Sequence, residues 1–290
     1  MSLVTGACHQ PADPAKPQIT TLHRVLKRYK ASAVLTGRAF ESAVVMPEAR
    51  YGGAVNSSSR RFPMLTAVAT GVAVAAAAAQ YTIPAMIPAL QRTPGGGLPD
   101  GQWWRLVTPL LVQTLGWYQV AANLVTLPII GAVTERLLGR GWWLALAAAG
   151  TAGGELAAYR WHDPGGGDSI AICGLAAGVI VTLLVRPATG TRFAHRAVVY
   201  YVAALTGWGF SGFRAAALAC LVAGIGMAVL RRAGVPGADG IALVVCVVSA
   251  LALAGLEEDL HGASLTAGFL VTAVVLAAGR PVRQAVQRWS

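Results

Sequence analysis

Four side chains in this chain have the types and places to do acyl-transfer chemistry. Ser169 follows Gly167-Asp168 and opens the small, apolar run Ile170-Ala171-Ile172-Cys173-Gly174-Leu175-Ala176-Ala177-Gly178. His261 opens a second run of the same kind. A serine hydroxyl is a weak nucleophile until a base within roughly 2.6–3.2 Å takes its proton, and histidine is the usual base. The oxyanion that such an attack creates needs hydrogen-bond donors. Gln119 and Asn123 are four residues apart, hence on one helical face, and both amides donate. Taken singly, such a serine is more often a cap or a packing residue, and such amides more often hold helices together. What favours chemistry is that the flanking elements bring all four to one depth.

Those elements are membrane helices. Of 290 residues, 55 % are hydrophobic and only 12 % charged, too few to cover a soluble surface. Several apolar stretches approach the roughly 20 residues that cross a bilayer. The fold class is all-α, a polytopic helical membrane bundle. Eight spans are expected, near 64–89, 117–137, 142–159, 169–185, 197–209, 213–230, 241–256 and 261–279, with Pro84 and Pro88 ending or kinking the first. Residues 1–63 read as a basic, disordered tail, 64–280 as the transmembrane domain and 281–290 as a short basic tail. No signal peptide is expected, because no short apolar core follows the start. Trp103, Trp104 and Trp117 in the loop after the first span suit a membrane interface. Cys8, Cys173, Cys220 and Cys246 show no metal spacing.

The net charge of +11 would suit nucleic acid if it were clustered on a soluble face. With the N-terminus inside, all 23 Lys and Arg except Arg92, Arg105, Arg160 and Arg214 fall on the inner side. The basic excess therefore reads as membrane orientation, with both termini cytoplasmic, and no nucleic-acid partner is expected. The acidic run Glu257-Glu258-Asp259 falls outside. Ser169 and His261 then both begin helices that start at the outer face.

Membrane helices approach closely through small residues. Cys173, Gly174, Ala177 and Gly178 line one face behind Ser169, and Ser264 and Gly268 line the face of His261. The loop Asp163-Pro164-Gly165-Gly166-Gly167-Asp168 is not helical, and such backbone at membrane depth calls for a wet cavity. From Ser169 to Val185 a helix rises about 26 Å, less than a bilayer core of about 30 Å. Ser169 is thus expected below the outer surface.

These residues together resemble the rhomboid family of intramembrane serine proteases. That family's pattern has Trp-Arg in the first outer loop, here Trp104-Arg105. It has His-x-x-x-Asn opening the second core helix, then Gly…Glu…Gly, here Gly131, Glu135 and Gly139. Gly-x-Ser-Gly follows with a glycine five residues after the serine, here Gly167-Asp168-Ser169-Ile170 and Gly174. A histidine with a glycine seven residues on closes it, here His261 and Gly268. The resemblance covers about 100–186 and 256–279. Gln119 stands where histidine is usual. Ile170 stands where glycine is usual, and a β-branched residue there takes space beside the serine. Between Ser169 and His261 the common core has one helix and this chain has three.

The resemblance implies a serine endopeptidase working by a Ser169–His261 dyad without a third carboxylate, with Asn123 and Gln119 at the oxyanion. Its substrates would be transmembrane segments of other proteins in the lipid bilayer, with no cofactor and no metal. Ile170 and Gln119 motivate an alternative, a catalytically inactive rhomboid-like pseudoprotease that binds membrane proteins. A small-solute transporter would use Glu155, but no internal repeat supports it. Glu155 reads instead as a hydrogen-bond partner facing the bundle interior.

Overall fold

The computed structural model describes residues 62–277 apart from 96, 98, 99 and 190; the expected tails fall almost wholly outside them. The described chain is helical. Helix α1 (Met64–Thr82) and the short α2 (Met86–Leu90) are separated at Pro84, as a missing N–H and a fixed φ require. Two 3₁₀ turns, Trp103–Leu106 and Thr108–Leu111, lead to α3 (Trp117–Leu138). Then follow α4 (Arg140–Trp161), α5 (Ser169–Val185), α6 (Arg192–Arg232), α7 (Ala238–Leu256) and α8 (Leu260–Ala277).

Helix α6 is two helices in one label. Ser211 and Gly212 leave helical geometry, Gly212 with φ +76. The halves fold back on each other: the Cys220 thiol reaches the Tyr200 carbonyl at 3.6 Å, and a Cβ on Gly224 would stand 2.7 Å from the Tyr200 hydroxyl. Two of the expected spans are therefore an antiparallel hairpin with a two-residue turn. By length and composition α1, α3, α6 and α7 suffice to cross a membrane, while α5 and α8 are shorter apolar helices.

Helix α5 is the centre. Only Ala171, Val181, Thr182, Leu184 and Val185 of its 17 residues escape burial, as suits a helix apolar all round. Small residues let its neighbours approach. A Cβ on Gly174 would run into the Leu146 carbonyl and stand 2.8 Å from Gly150 Cα, so α4 and α5 touch backbone to backbone. On the other flank, a Cβ on Gly268 of α8 would stand 2.7 Å from Ala177 Cβ and 2.9 Å from the Gly174 carbonyl. These are the small faces that the sequence pairs, and close van der Waals packing of this kind holds membrane helices together. The outward faces of α6 and α7 carry exposed Leu221, Val222, Ile225, Val244, Val248 and Leu251. An apolar belt of that extent belongs in lipid.

Helix α1 has no side-chain cap of its own. Glu135 of α3 supplies one, accepting from Thr66 N at 2.9 Å, Thr66 Oγ1 at 2.9 Å and Leu65 N at 3.2 Å. A carboxylate at a helix N-terminus satisfies orphan N–H groups and meets the positive end of the dipole. Gly131, one turn earlier on α3, leaves room for Thr66, whose Cγ2 would be 2.8 Å from a Cβ there.

Candidate active site

Ser169 is the first residue of α5 and is buried. His261 is the second residue of α8. Ser169 Oγ and His261 Nε2 are 3.0 Å apart. The α5–α8 glycine contact is what permits this, because it sets the axes close enough for two short side chains to meet. The Ser169 carbonyl accepts from the Tyr201 hydroxyl at 3.2 Å, which ties the nucleophile's backbone to α6.

The loop before Ser169 is braced from both sides. Arg92 and Gly165 form a backbone bridge, with N···O distances of 2.7 and 3.2 Å. Gly165 has φ +133, a conformation that side chains resist. Gly166 N donates to Thr114 Oγ1 at 3.0 Å, and Gly167 N donates to the Pro109 carbonyl at 2.9 Å. A Cβ on Gly166 would stand 2.7 Å from that same Pro109 carbonyl, so the glycines here are required by close approach.

Arg92 also reaches inward. Its Nη1 donates to Glu155 Oε1 at 2.8 Å and its Nε to the Asp163 carbonyl at 2.9 Å; both side chains are almost wholly buried. Glu155 is thus a hydrogen-bond partner inside the bundle, as its position suggests. Arg92 is a residue that sequence reasoning treats only as a loop charge. Arg105 binds the Gln91 and Pro88 carbonyls and Gln102 Oε1, stitching the first loop together.

The two amides lie against the loop that leads to Ser169. Gln119 Nε2 donates to the Gly166 carbonyl at 3.0 Å, while its Oε1 accepts from Leu115 N at 2.9 Å. Asn123 Nδ2 donates to Asp168 Oδ1 at 2.7 Å and to Gln113 Oε1 at 2.8 Å. Both N–H groups of Asn123 are therefore engaged, whereas Gln119 keeps one N–H spare. Gln113 Nε2 also donates to Asp168 Oδ1, at 2.7 Å. Gln113 and Asp168 are members of this cluster that residue spacing does not reveal. Burial pushes the Asp168 carboxyl up, against the hydrogen bonds from Gln113 and Asn123.

Ile170 does not face the hydroxyl of its neighbour. It is buried on the α4 side, and a Cβ on Gly154 would stand 2.7 Å from its Cγ2. The space that a β-branched residue takes beside the serine is ceded by a glycine on another helix.

A third side chain completes the row. Asp259 Oδ1 lies 3.1 Å from His261 Nδ1, on the side of the ring away from Ser169. The resemblance implies no third carboxylate, and the acidic run reads in sequence only as loop charge. The signal was an aspartate one residue before a helix start, a usual capping place.

A Rhomboid domain family model matches residues 100–234, which include Ser169. The chain is 27 % identical over 115 residues to "Rhomboid protease GluP" of Bacillus subtilis (strain 168), a stretch of 39 % of this chain and 22 % of that protein. The chain thus spans about a fifth of the length of that curated relative. Both matches support membership of the rhomboid family. No solved structure matches the chain. With its apolar helices and exposed apolar belt, the protein is an integral membrane protein.

Proposed function

We propose that the protein is an intramembrane serine endopeptidase that cleaves transmembrane segments of other proteins. The observation that carries the reading is the 3.0 Å approach of Ser169 Oγ to His261 Nε2. His261 Nε2 takes the hydroxyl proton as Oγ attacks the peptide carbonyl. The tetrahedral intermediate collapses, the C–N bond breaks, and His261 gives the proton to the departing amine. Water then attacks the acyl-enzyme ester while His261 takes its proton. On the second collapse the proton returns to Ser169 Oγ and the new carboxyl end leaves. The spare N–H of Gln119 and, after exchange of a partner, an N–H of Asn123 serve the oxyanion.

The partners of this reading are transmembrane protein substrates in the bilayer. In this reading, by the positive-inside asymmetry, both termini lie in the cytoplasm and the Ser169 end of the bundle lies outside. Cysteines introduced at 187–196 should resist an impermeant label added from outside, and one at 100 should take it.

A second reading, an inactive rhomboid that only binds membrane segments, draws on the engagement of both Asn123 N–H groups. Labelling with a serine-directed fluorophosphonate separates the two. Wild type should take the label and Ser169→Ala should not. His261→Ala should slow it by roughly 100- to 10,000-fold, the usual contribution of a general base. Wild type no better labelled than Ser169→Ala would favour the binder.

A further inference from the structure

We propose that Asp259 is a positioning carboxylate for His261, so that the site is the linear array Ser169–His261–Asp259. The inference rests on the protease reading and alters its chemistry, since it gives the base a fixed tautomer and a counter-charge.

The geometry is that of an orienting acid. Oδ1 is 3.1 Å and Oδ2 3.4 Å from His261 Nδ1, while Nε2 on the far side of the ring is 3.0 Å from Ser169 Oγ. A carboxylate only accepts, so Nδ1 must carry the proton. Nε2 then presents its lone pair to the serine hydroxyl, which is the tautomer a base needs. When Nε2 gains the serine proton, the imidazolium already faces an anion.

Asp259 is itself held. Its Oδ1 accepts from His261 N at 2.8 Å and from Gly262 N at 3.2 Å, the bonds of an N-terminal cap on α8. Glu258 before it has φ +51, a left-handed conformation uncommon for such a residue, and turns the chain from α7 into α8. From α6, Gly209 packs beside Asp259: a Cβ there would stand 2.6 Å from Leu253 Cδ2 and 3.5 Å from Asp259 Oδ2. The carboxyl is only partly exposed, at 19 %, like the histidine at 17 %. Burial lifts its affinity for a proton, but the bonds from His261 and from Gly262 N outweigh that and hold it below the usual carboxylate range. The other ionisable groups that face this pair are Asp163 from the α4–α5 loop, Cys173 of α5 and Tyr201 of α6, while Glu257 and Glu258 next to it in sequence are exposed.

Capping alone would account for the backbone bonds, so the test must keep the cap. Asp259→Ser retains a capping oxygen that is too short to reach Nδ1, and Asp259→Asn retains the shape without the charge. The full chain in detergent is labelled with a fluorophosphonate. Both variants should stay folded, losing only the modest charge contribution of Asp259 to stability. Both should label at least 100-fold more slowly, the Asn variant within the roughly 10⁴-fold that the same exchange costs in serine proteases of the Ser-His-Asp type. Unchanged rates would overturn the proposal. Ring ¹⁵N shifts of His261 give a readout that needs no activity: proton on Nδ1 in wild type, mixed tautomers in Asp259→Ser. Should wild-type Ser169 take no label, the protease reading fails, and the ¹⁵N shifts still decide. A fixed Nδ1–H that survives Asp259→Ser would reject the positioning role.

Discussion

Gly154 of α4 lies against Ile170 of α5: a Cβ at 154 would stand 2.7 Å from Ile170 Cγ2 and would also overlap Ser264 Oγ. One glycine thereby accommodates the residue after the nucleophile and a residue one turn beyond the base. Gly154→Ala should destabilise the fold by about 1–3 kcal/mol, the usual cost of overpacking. It should also slow serine labelling, because Ser169 and His261 flank the crowded point. Adding Ile170→Ala should restore much of both, which a double-mutant cycle would read as coupling. Additive losses would mean that the two residues do not share the space.

The Arg92–Glu155 pair is buried on both sides, so breaking it should cost more than a surface pair. Glu155→Ala leaves an uncompensated guanidinium and should destabilise by about 3–5 kcal/mol. Because Arg92 also holds the Asp163 and Gly165 backbone, the same variant should loosen the loop leading to Ser169. Faster hydrogen exchange in residues 163–168 would report that; unchanged protection would separate the ion pair from the site.

Gln119→Ala should lower the rate of model-substrate cleavage by on the order of 100-fold with little loss of stability, as expected for removal of one oxyanion donor. Asn123→Ala should lower both, since Asp168 and Gln113 lose their shared partner. A Gln119→Ala enzyme with wild-type turnover would take this amide out of the oxyanion role.

Acid should unfold the wild type partly through Asp259. Its carboxyl titrates below the usual value of about 3.9 in the fold. Its contribution to stability is therefore complete above about pH 4 and is lost as pH falls through the lower folded value. Asp259→Ser should lack that component, so its stability should decline less as pH falls below about 4. Parallel acid-unfolding curves would contradict it.

Apolar length and small-residue spacing made most of the helical plan legible. The spans at 117–137 and 169–185 match α3 and α5 within a residue, because helix ends there coincide with Gly116, Gly139 and the glycine loop. The break at Ser211–Gly212 was visible as a glycine between two apolar runs. What periodicity does not carry is contact between distant loops. Arg92 and Glu155, 63 residues apart, meet only in three dimensions, as do Gln113 and Asp168, 55 apart. Asp259 lay within two residues of the histidine yet read as loop charge, because its direction depends on the turn at Glu258. The space for Ile170 comes from a helix that sequence alone does not pair with it.

The shortness of α5 has a bearing on how the protein meets membranes of different thickness. A lipid-facing helix of 17 residues would force the bilayer to thin or the helix to shift, at a cost for each ångström of mismatch. Helix α5 is sheathed by its neighbours and touches almost no lipid. The hydrophobic match is therefore set by α1, α6 and α7 on the rim. The depth of Ser169 is fixed by protein contacts, so a thicker or thinner membrane would change the reach to the site while leaving its internal geometry alone.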